Sequence, residues 1–357
     1  MTGVVSGAVL KLARQSTGLT QEKFAELLRV DVSTVQGWES GRRPLAAMNA
    51  GDFLRLSGRL SRLGAPASTG RHLREAVEAD QVLSTGIAAE VAWVDADTHP
   101  LAASVHRRTI TNLITWPITQ KTPEHLREFI PKVARRGPTP ICPSLHADER
   151  TRFFDHLLTA AERSMHADEA LLRRQAVYLL GFDGRPQVVA WLRAEWKRAG
   201  CRSAKQTDVT GLLEARSASV ALASTGDGTH IHDFVDHMTD TRTEIANLNY
   251  WAHWIGELDN EQTSDAFMLD ADTRSWTGVR LLQHLMNRLD PDSPHLPLNL
   301  HTLHALVASR ASLLNGRPVV HASLAGKLDR LASTDCLTRT GRHQLAGLQY
   351  ALRIAGF

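Results

Sequence analysis

The chain has 357 residues, 43% hydrophobic and 22% charged, with a formal net charge of +3, which is ample for more than one hydrophobic core. No run of about 18 apolar residues occurs, so no membrane span or membrane partner is expected, and the start MTGVVSGAVLKLARQ lacks the pattern of a secretory signal. Cys142, Cys201 and Cys336 are odd in number and far apart; they form neither a disulfide frame nor a zinc knuckle, and a cytoplasmic protein is expected.

The first predicted helix contains Val9-Leu10-Lys11-Leu12-Ala13-Arg14. Thr20 can cap a second, with Phe24, Leu27 and Leu28 on one face at helical spacing. After a tight turn Ser33 can cap a third, in which Val35 and Trp38 turn inward and which Gly41 closes. Helices this short cannot bury their apolar faces alone, so the three must pack together. That is helix-turn-helix architecture, with the outer side of the last helix free to enter a DNA major groove.

The run LKLARQSTGLTQEKFAELLRVDVSTVQGWESGRRP resembles the XRE (Cro/C1-type) helix-turn-helix of phage repressors and bacterial regulators, over about residues 7–63. The matching features are Arg14, Gly18-Leu19-Thr20-Gln21, Phe24-Ala25, Val32-Ser33 and Trp38-Glu39-Ser40-Gly41-Arg42. The resemblance implies a double-stranded DNA partner and an Arg14–Glu39 pair. It also implies a grip on a DNA phosphate by Gln21 at a positive helix end. Base reading falls, by the same resemblance, to Val32, Ser33, Thr34, Gln36 and Gly37, where Gln36 suits a bidentate contact to adenine. Arg42 and Arg43 suit phosphate contacts. Two residues depart from the family pattern. Arg29 stands where a turn glycine is usual, so the turn holds a left-handed residue or differs in shape. Gly37 inside the reading helix costs about 1 kcal/mol relative to alanine. Residues 1–75 hold eleven Lys or Arg against six Asp or Glu, a basic head on a near-neutral body.

Gly64-Ala65-Pro66-Ala67-Ser68-Thr69-Gly70 is a small-residue break. The expected organisation is a head at 1–64, a linker at 65–70, a helical and Pro-rich connection at 71–147 and a helical domain at 148–357. In the connection, helices are expected at 71–92 and 101–114, with a short one at 124–134. Six of the fourteen prolines fall between 117 and 143, and 133–143 reads as an extended surface loop. Beyond 148 the pattern is helical, and 171–196 superimposes on 212–238 with an offset of 42, a period in the HEAT/armadillo range. The fold class expected is therefore all-α: a helix-turn-helix head followed by a HEAT/TPR-like solenoid or an irregular helical array.

Beyond the head, no catalytic constellation is legible and no cofactor is expected. The histidine group His230, His232, Asp233, Asp236, His237 and His253 places ligand pairs at i, i+4, yet an amphipathic helix with Ile231, Phe234, Val235 and Met238 inward accounts for the same spacing, and no metal is assigned. Asp95-Ala96-Asp97 and Asp270-Ala271-Asp272 are carboxylate pairs without a partner base. Tyr250, Trp251, Trp254 and Trp276 read as core, and a small-molecule or peptide ligand would be sought beside them. The expected protein is a sequence-specific, non-enzymatic transcriptional regulator whose helical body dimerises it, with Leu345, Leu348, Leu352 and Ile354 as candidate interface residues. A DNA-anchored scaffold or replicon-maintenance protein is the alternative.

Overall fold

The computed structural model describes residues 3–88, 94–96, 98–130, 142–164, 166, 169–203, 209–238, 240–258, 262, 264–270 and 276–355; among them it is helical, without a strand. The carboxylate pairs, through Asp97, Ala271 and Asp272, and most of the Pro-rich loop lie outside the described residues. The chain divides into two compact units, Met1–Leu179 and Leu180–Phe357.

The first unit runs through α1 (Val4–Ser16), α2 (Gln21–Leu28), α3 (Val32–Glu39), a 3₁₀ turn at Leu45–Ala47, α4 (Ala50–Arg62) and α5 (Thr69–Ala88). There follow α6 (Pro100–Ala103), α7 (Arg108–Thr119), a 3₁₀ segment at Glu124–Phe129, α8 (Ala147–Arg163) and α9 (Ala170–Leu180). Helix α1 is the hub. Val5, Val9, Leu10, Leu12 and Ala13 are fully covered, and the helix packs on α3, α5 and α7. Its apolar residues lie on several sides, as a helix surrounded by partners requires. Gly7 lets α3 approach: a Cβ there would meet the carbonyl oxygens of Trp38 and Glu39.

Helix α1 has no local cap, since Gly3 offers no side chain. The acceptor comes from α5 instead. The Val5 and Ser6 amides donate to Asp80 Oδ1 and Oδ2, each at 2.9 Å, which answers two of the four unpaired N–H groups at a helix start. Downstream, the segment expected as one helix at 101–114 divides into α6 and α7, and α7 runs on through Pro117. Proline forfeits a backbone bond to residue i−4. Here it sits in the last turn, packed with Ile114, Trp116 and Ile118 inside the unit, and Gln120 ends the helix in the left-handed conformation at φ 57°.

The second unit contains α10 (Pro186–Ser203), α11 (Val209–Ser224), α12 (Thr229–His237), α13 (Thr241–Trp254), a 3₁₀ segment at Asp265–Leu269 and α14 (Val279–Met286). It ends with α15 (Leu296–Ser309), a 3₁₀ turn at Ala311–Leu314, α16 (Pro318–Ala332) and α17 (Arg339–Ala355). Helix α15 is the organising element. Its Leu298, Leu300, Leu303 and Leu306 are buried, and it touches α12, α13, α14 and α17. In a solenoid each pair meets only its neighbours; helices gathered round one buried member form an irregular array instead.

The aromatic residues belong to this core. Trp276 donates Nε1–H to Asn249 Oδ1 at 3.0 Å, and the guanidinium carbons of Arg310 and Arg216 lie 3.7 Å and 4.1 Å from the ring centres of Trp276 and Tyr250. A cavity of about 430 Å³ opens elsewhere in the unit, between His232, Asp236, Pro294, Cys336 and Gln344. Ile231, Phe234, Val235 and Met238 of the histidine-rich segment face inward, as their spacing predicts. His237 Nδ1 is 2.6 Å from the Asp233 carbonyl oxygen, and His230 lies against Trp196. Of the tail residues, Leu345, Leu348 and Leu352 are buried within the chain, and Ile354 is exposed.

Candidate nucleic-acid interface

The interface is built on α2 and α3. Thr20 caps α2, accepting from the Lys23 amide at 3.2 Å, and Phe24 and Ala25 seal its inner face. Arg29 then adopts φ 58°, ψ 44°, the left-handed turn conformation in which a glycine would carry no strain. A substituted turn of ordinary shape thus leads into α3.

The cap of α3 is Asp31 and not Ser33. The helix begins at Val32, so Ser33 already lies in its first turn, and its amide donates to Asp31 Oδ1 at 2.7 Å. Bonds from the Ser33 hydroxyl and amide hold the exposed Asp31 carboxyl below the usual range. Trp38, expected inward, is half-buried. The residue lines a groove of about 900 Å³ with Leu27, Leu28, Met48, Arg55 and Arg59.

Under the two helices lies one polar network. Arg14 Nε and Nη2 donate to Glu39 Oε1 and Oε2 at 2.6 Å and 3.0 Å, a bidentate pair whose side chains are 6% and 3% exposed. Arg14 Nη1 donates to the Leu19 carbonyl at 2.6 Å, and Gln21 Nε2 donates to Glu39 Oε2 at 2.7 Å. One carboxylate therefore fixes the start of α1's last turn, the loop before α2, the first residue of α2 and the end of α3. Gln21, the expected phosphate contact, is held by this network at the N-terminus of α2.

On the outer side of α3, Ser33 and Gln36 are exposed and Val32 and Thr34 partly so. Gly37 presents no surface of its own. It is buried, and a Cβ there would stand 2.9 Å from Arg43 Cδ. Arg43 folds back over it, its Nη1 donating to Thr34 Oγ1 at 2.9 Å and its amide to the Gly37 carbonyl at 2.9 Å. The two arginines are thus placed differently: Arg42 projects past the helix end, its Nε donating to Ser40 Oγ at 3.2 Å, whereas Arg43 lies along α3. Sequence spacing does not reveal this, because the return of Arg43 depends on the empty side of Gly37. Helix α4 braces the pair from behind, Arg59 Nη2 donating to the Leu27 carbonyl at 2.6 Å.

The helix-turn-helix family model matches residues 10–52. These residues are a helix-turn-helix domain of the XRE type. No curated protein and no solved structure matches the chain significantly. The matched residues take in the second half of α1, all of α2 and α3, and the opening of α4. Among the described residues, no helix is long and apolar enough to cross a membrane.

Proposed function

We propose that the protein is a sequence-specific DNA-binding transcriptional regulator, with Ser33, Thr34, Gln36 and the edge of Val32 reading bases. The observation that carries this reading is the outer face of α3, exposed at Ser33 and Gln36 and flanked by Arg42 and Arg43, on an XRE-type domain. Gln21, at the positive end of α2, and Arg42 supply phosphate contacts. Arg43, beside Thr34, stands next to the readers.

Two substitutions separate positioning from reading. Arg42→Ala should weaken binding to every duplex alike and lower the salt-dependence slope by about one unit. Gln36→Ala should instead reorder the preferred bases, since a good amide–adenine pair gives about 1–3 kcal/mol of discrimination. Anisotropy titrations on a base-substituted duplex panel at several salt concentrations check both. An unchanged base ranking for Gln36→Ala removes Gln36 as a reader, and mapping bound sites across the genome distinguishes a promoter regulator from a replicon-bound scaffold.

The full chain acts, in this reading, as a homodimer on a two-fold operator, because one small head buries too little DNA for the usual specific affinity. Val319, Tyr350 and Ile354 are exposed apolar residues on α16 and α17 and are the residues left to such an interface once the tail leucines are committed to the core. Light scattering is expected to give a dimer at micromolar concentration, reduced to monomer by Tyr350→Glu with Ile354→Glu; a wild-type monomer refutes it.

A further inference from the structure

The tetrapeptide His-Leu-Arg-Glu occurs twice, at His72–Glu75 and at His125–Glu128. The first copy lies on α5 and the second on the 3₁₀ segment Glu124–Phe129. In each, the leucine is fully buried and the arginine exposed, and residues three apart on a helical turn share a face. The fold brings the two copies together. His72 Nδ1 is 2.8 Å from Glu75 Oε2, His72 Nε2 is 4.0 Å from Glu128 Oε1, and the two imidazole rings are 4.9 Å apart between centres.

Ligating atoms from His72, Glu75 and His125 all lie within 4.8 Å of one another, and this is the one such group of three among the described residues. Both ring nitrogens of His125 are shielded from solvent and have no hydrogen-bond partner. A buried polar atom left so costs about 1–3 kcal/mol, and a native structure usually has a reason for it. We propose that His72, Glu75 and His125, joined by Glu128, form a binding site for a zinc-class divalent metal ion that ties α5 to the Glu124–Phe129 segment.

The chemistry of the ligand set selects the ion. Two imidazoles with carboxylates suit zinc and its neighbours, whereas calcium and magnesium take oxygen ligands. Ligands about 2.0–2.2 Å from a tetrahedral ion stand roughly 3.4 Å apart. The widest separation in the group, up to 4.8 Å, must therefore close while the His72–Glu75 pair at 2.8 Å opens. Half-exposed Glu128, which accepts from the Ser68 hydroxyl, must turn in as the fourth ligand. Burial, with His72 alongside, lowers the His125 pKa to about 4, so the ring is uncharged at neutral pH and one of its nitrogens offers a lone pair. Arg71 and Arg108 lie near enough to act on His125, and both carboxylates are needed to keep the locus attractive to a dication. Binding needs His72 neutral, with its proton on the ring nitrogen that does not face the ion.

The test uses the full-length chain without an affinity tag. Zinc titrated against a chromophoric chelator should bind at one ion per chain, and cobalt in its place should give the intense visible bands of a tetrahedral ion. His125→Ala should lose about 100-fold or more in affinity, beyond the range for outer-shell changes. Glu128→Gln, which removes the charge of a ligand but keeps an oxygen that can still coordinate, should lose at least about 10-fold, and His237→Ala should change nothing. Stoichiometric binding abolished by His237→Ala, binding indifferent to Glu128→Gln, or no zinc retained at micromolar concentration would each overturn the assignment. If His125→Ala fails to fold, the cobalt spectrum of the wild type and the Glu128→Gln affinity decide it.

Discussion

Arg14→Met is expected to destabilise the N-terminal unit by about 3–5 kcal/mol and to abolish DNA binding. The loss comes from what remains: Glu39, 3% exposed, would keep its charge in a dry site without the two guanidinium bonds that compensate it, and breaking a buried pair on one side costs about this much. The Leu19 carbonyl also loses its donor. A double change, Arg14→Met with Glu39→Met, should recover much of the stability, because apolar replacement of a whole buried pair is often neutral. DNA binding should not recover with it, since Gln21 is aimed by Glu39. Urea denaturation of the single and double variants measures the first effect and anisotropy the second. A single-variant loss below about 1 kcal/mol would place this pair among the weak surface bridges.

Asp80→Ala should cost about 2–6 kcal/mol, since it leaves the Val5 and Ser6 amides buried without an acceptor at about 1–3 kcal/mol each. Asp80→Asn keeps one acceptor oxygen and should fall between. Asp80 also makes stability depend on pH. Burial raises its pKa to about 6 from 3.8, against the opposing bonds from Ser6 and Val5. The folded state then binds more protons than the unfolded one between those values, so this contribution is fully present below about pH 4, declines as pH rises to about 6 and is flat above. The wild type should therefore exceed Asp80→Asn in stability by more at pH 4.5 than at pH 7, with a difference of at most about 3 kcal/mol. Urea midpoints of both proteins at the two pH values provide the check. The reverse ordering would mean that the two amides hold Asp80 ionised well into the acid range.

Local chemistry explains which features of the head are legible in the sequence. Thr20 as a cap, the inward Phe24 and Val35, and the closing Gly41, at φ 77°, are settled within one or two turns, whereas Leu27 and Leu28, expected on the same face as Phe24, are only partly buried and line the groove beside Trp38. At the start of α3, Asp31 and Ser33 are both good capping residues, and the first helical residue, Val32, selects the former. Farther along, the expected helix at 101–114 divides and overruns through Pro117 because the apolar side chains around that proline are buried together, a tertiary gain that outweighs the lost backbone bond.

By itself, then, the sequence determined the all-helical class and the helix-turn-helix head, since helix periods and caps are answered within four residues of where they arise. Tertiary structure alone decided which polar groups meet across long separations. Asp80 caps a helix 74 residues upstream, Arg43 lies on Gly37, the two His-Leu-Arg-Glu copies face each other, and the tail leucines turn inward while Ile354 stays out. Those pairings depend on how apolar faces pack, and packing is a property of the whole chain that no local spacing encodes.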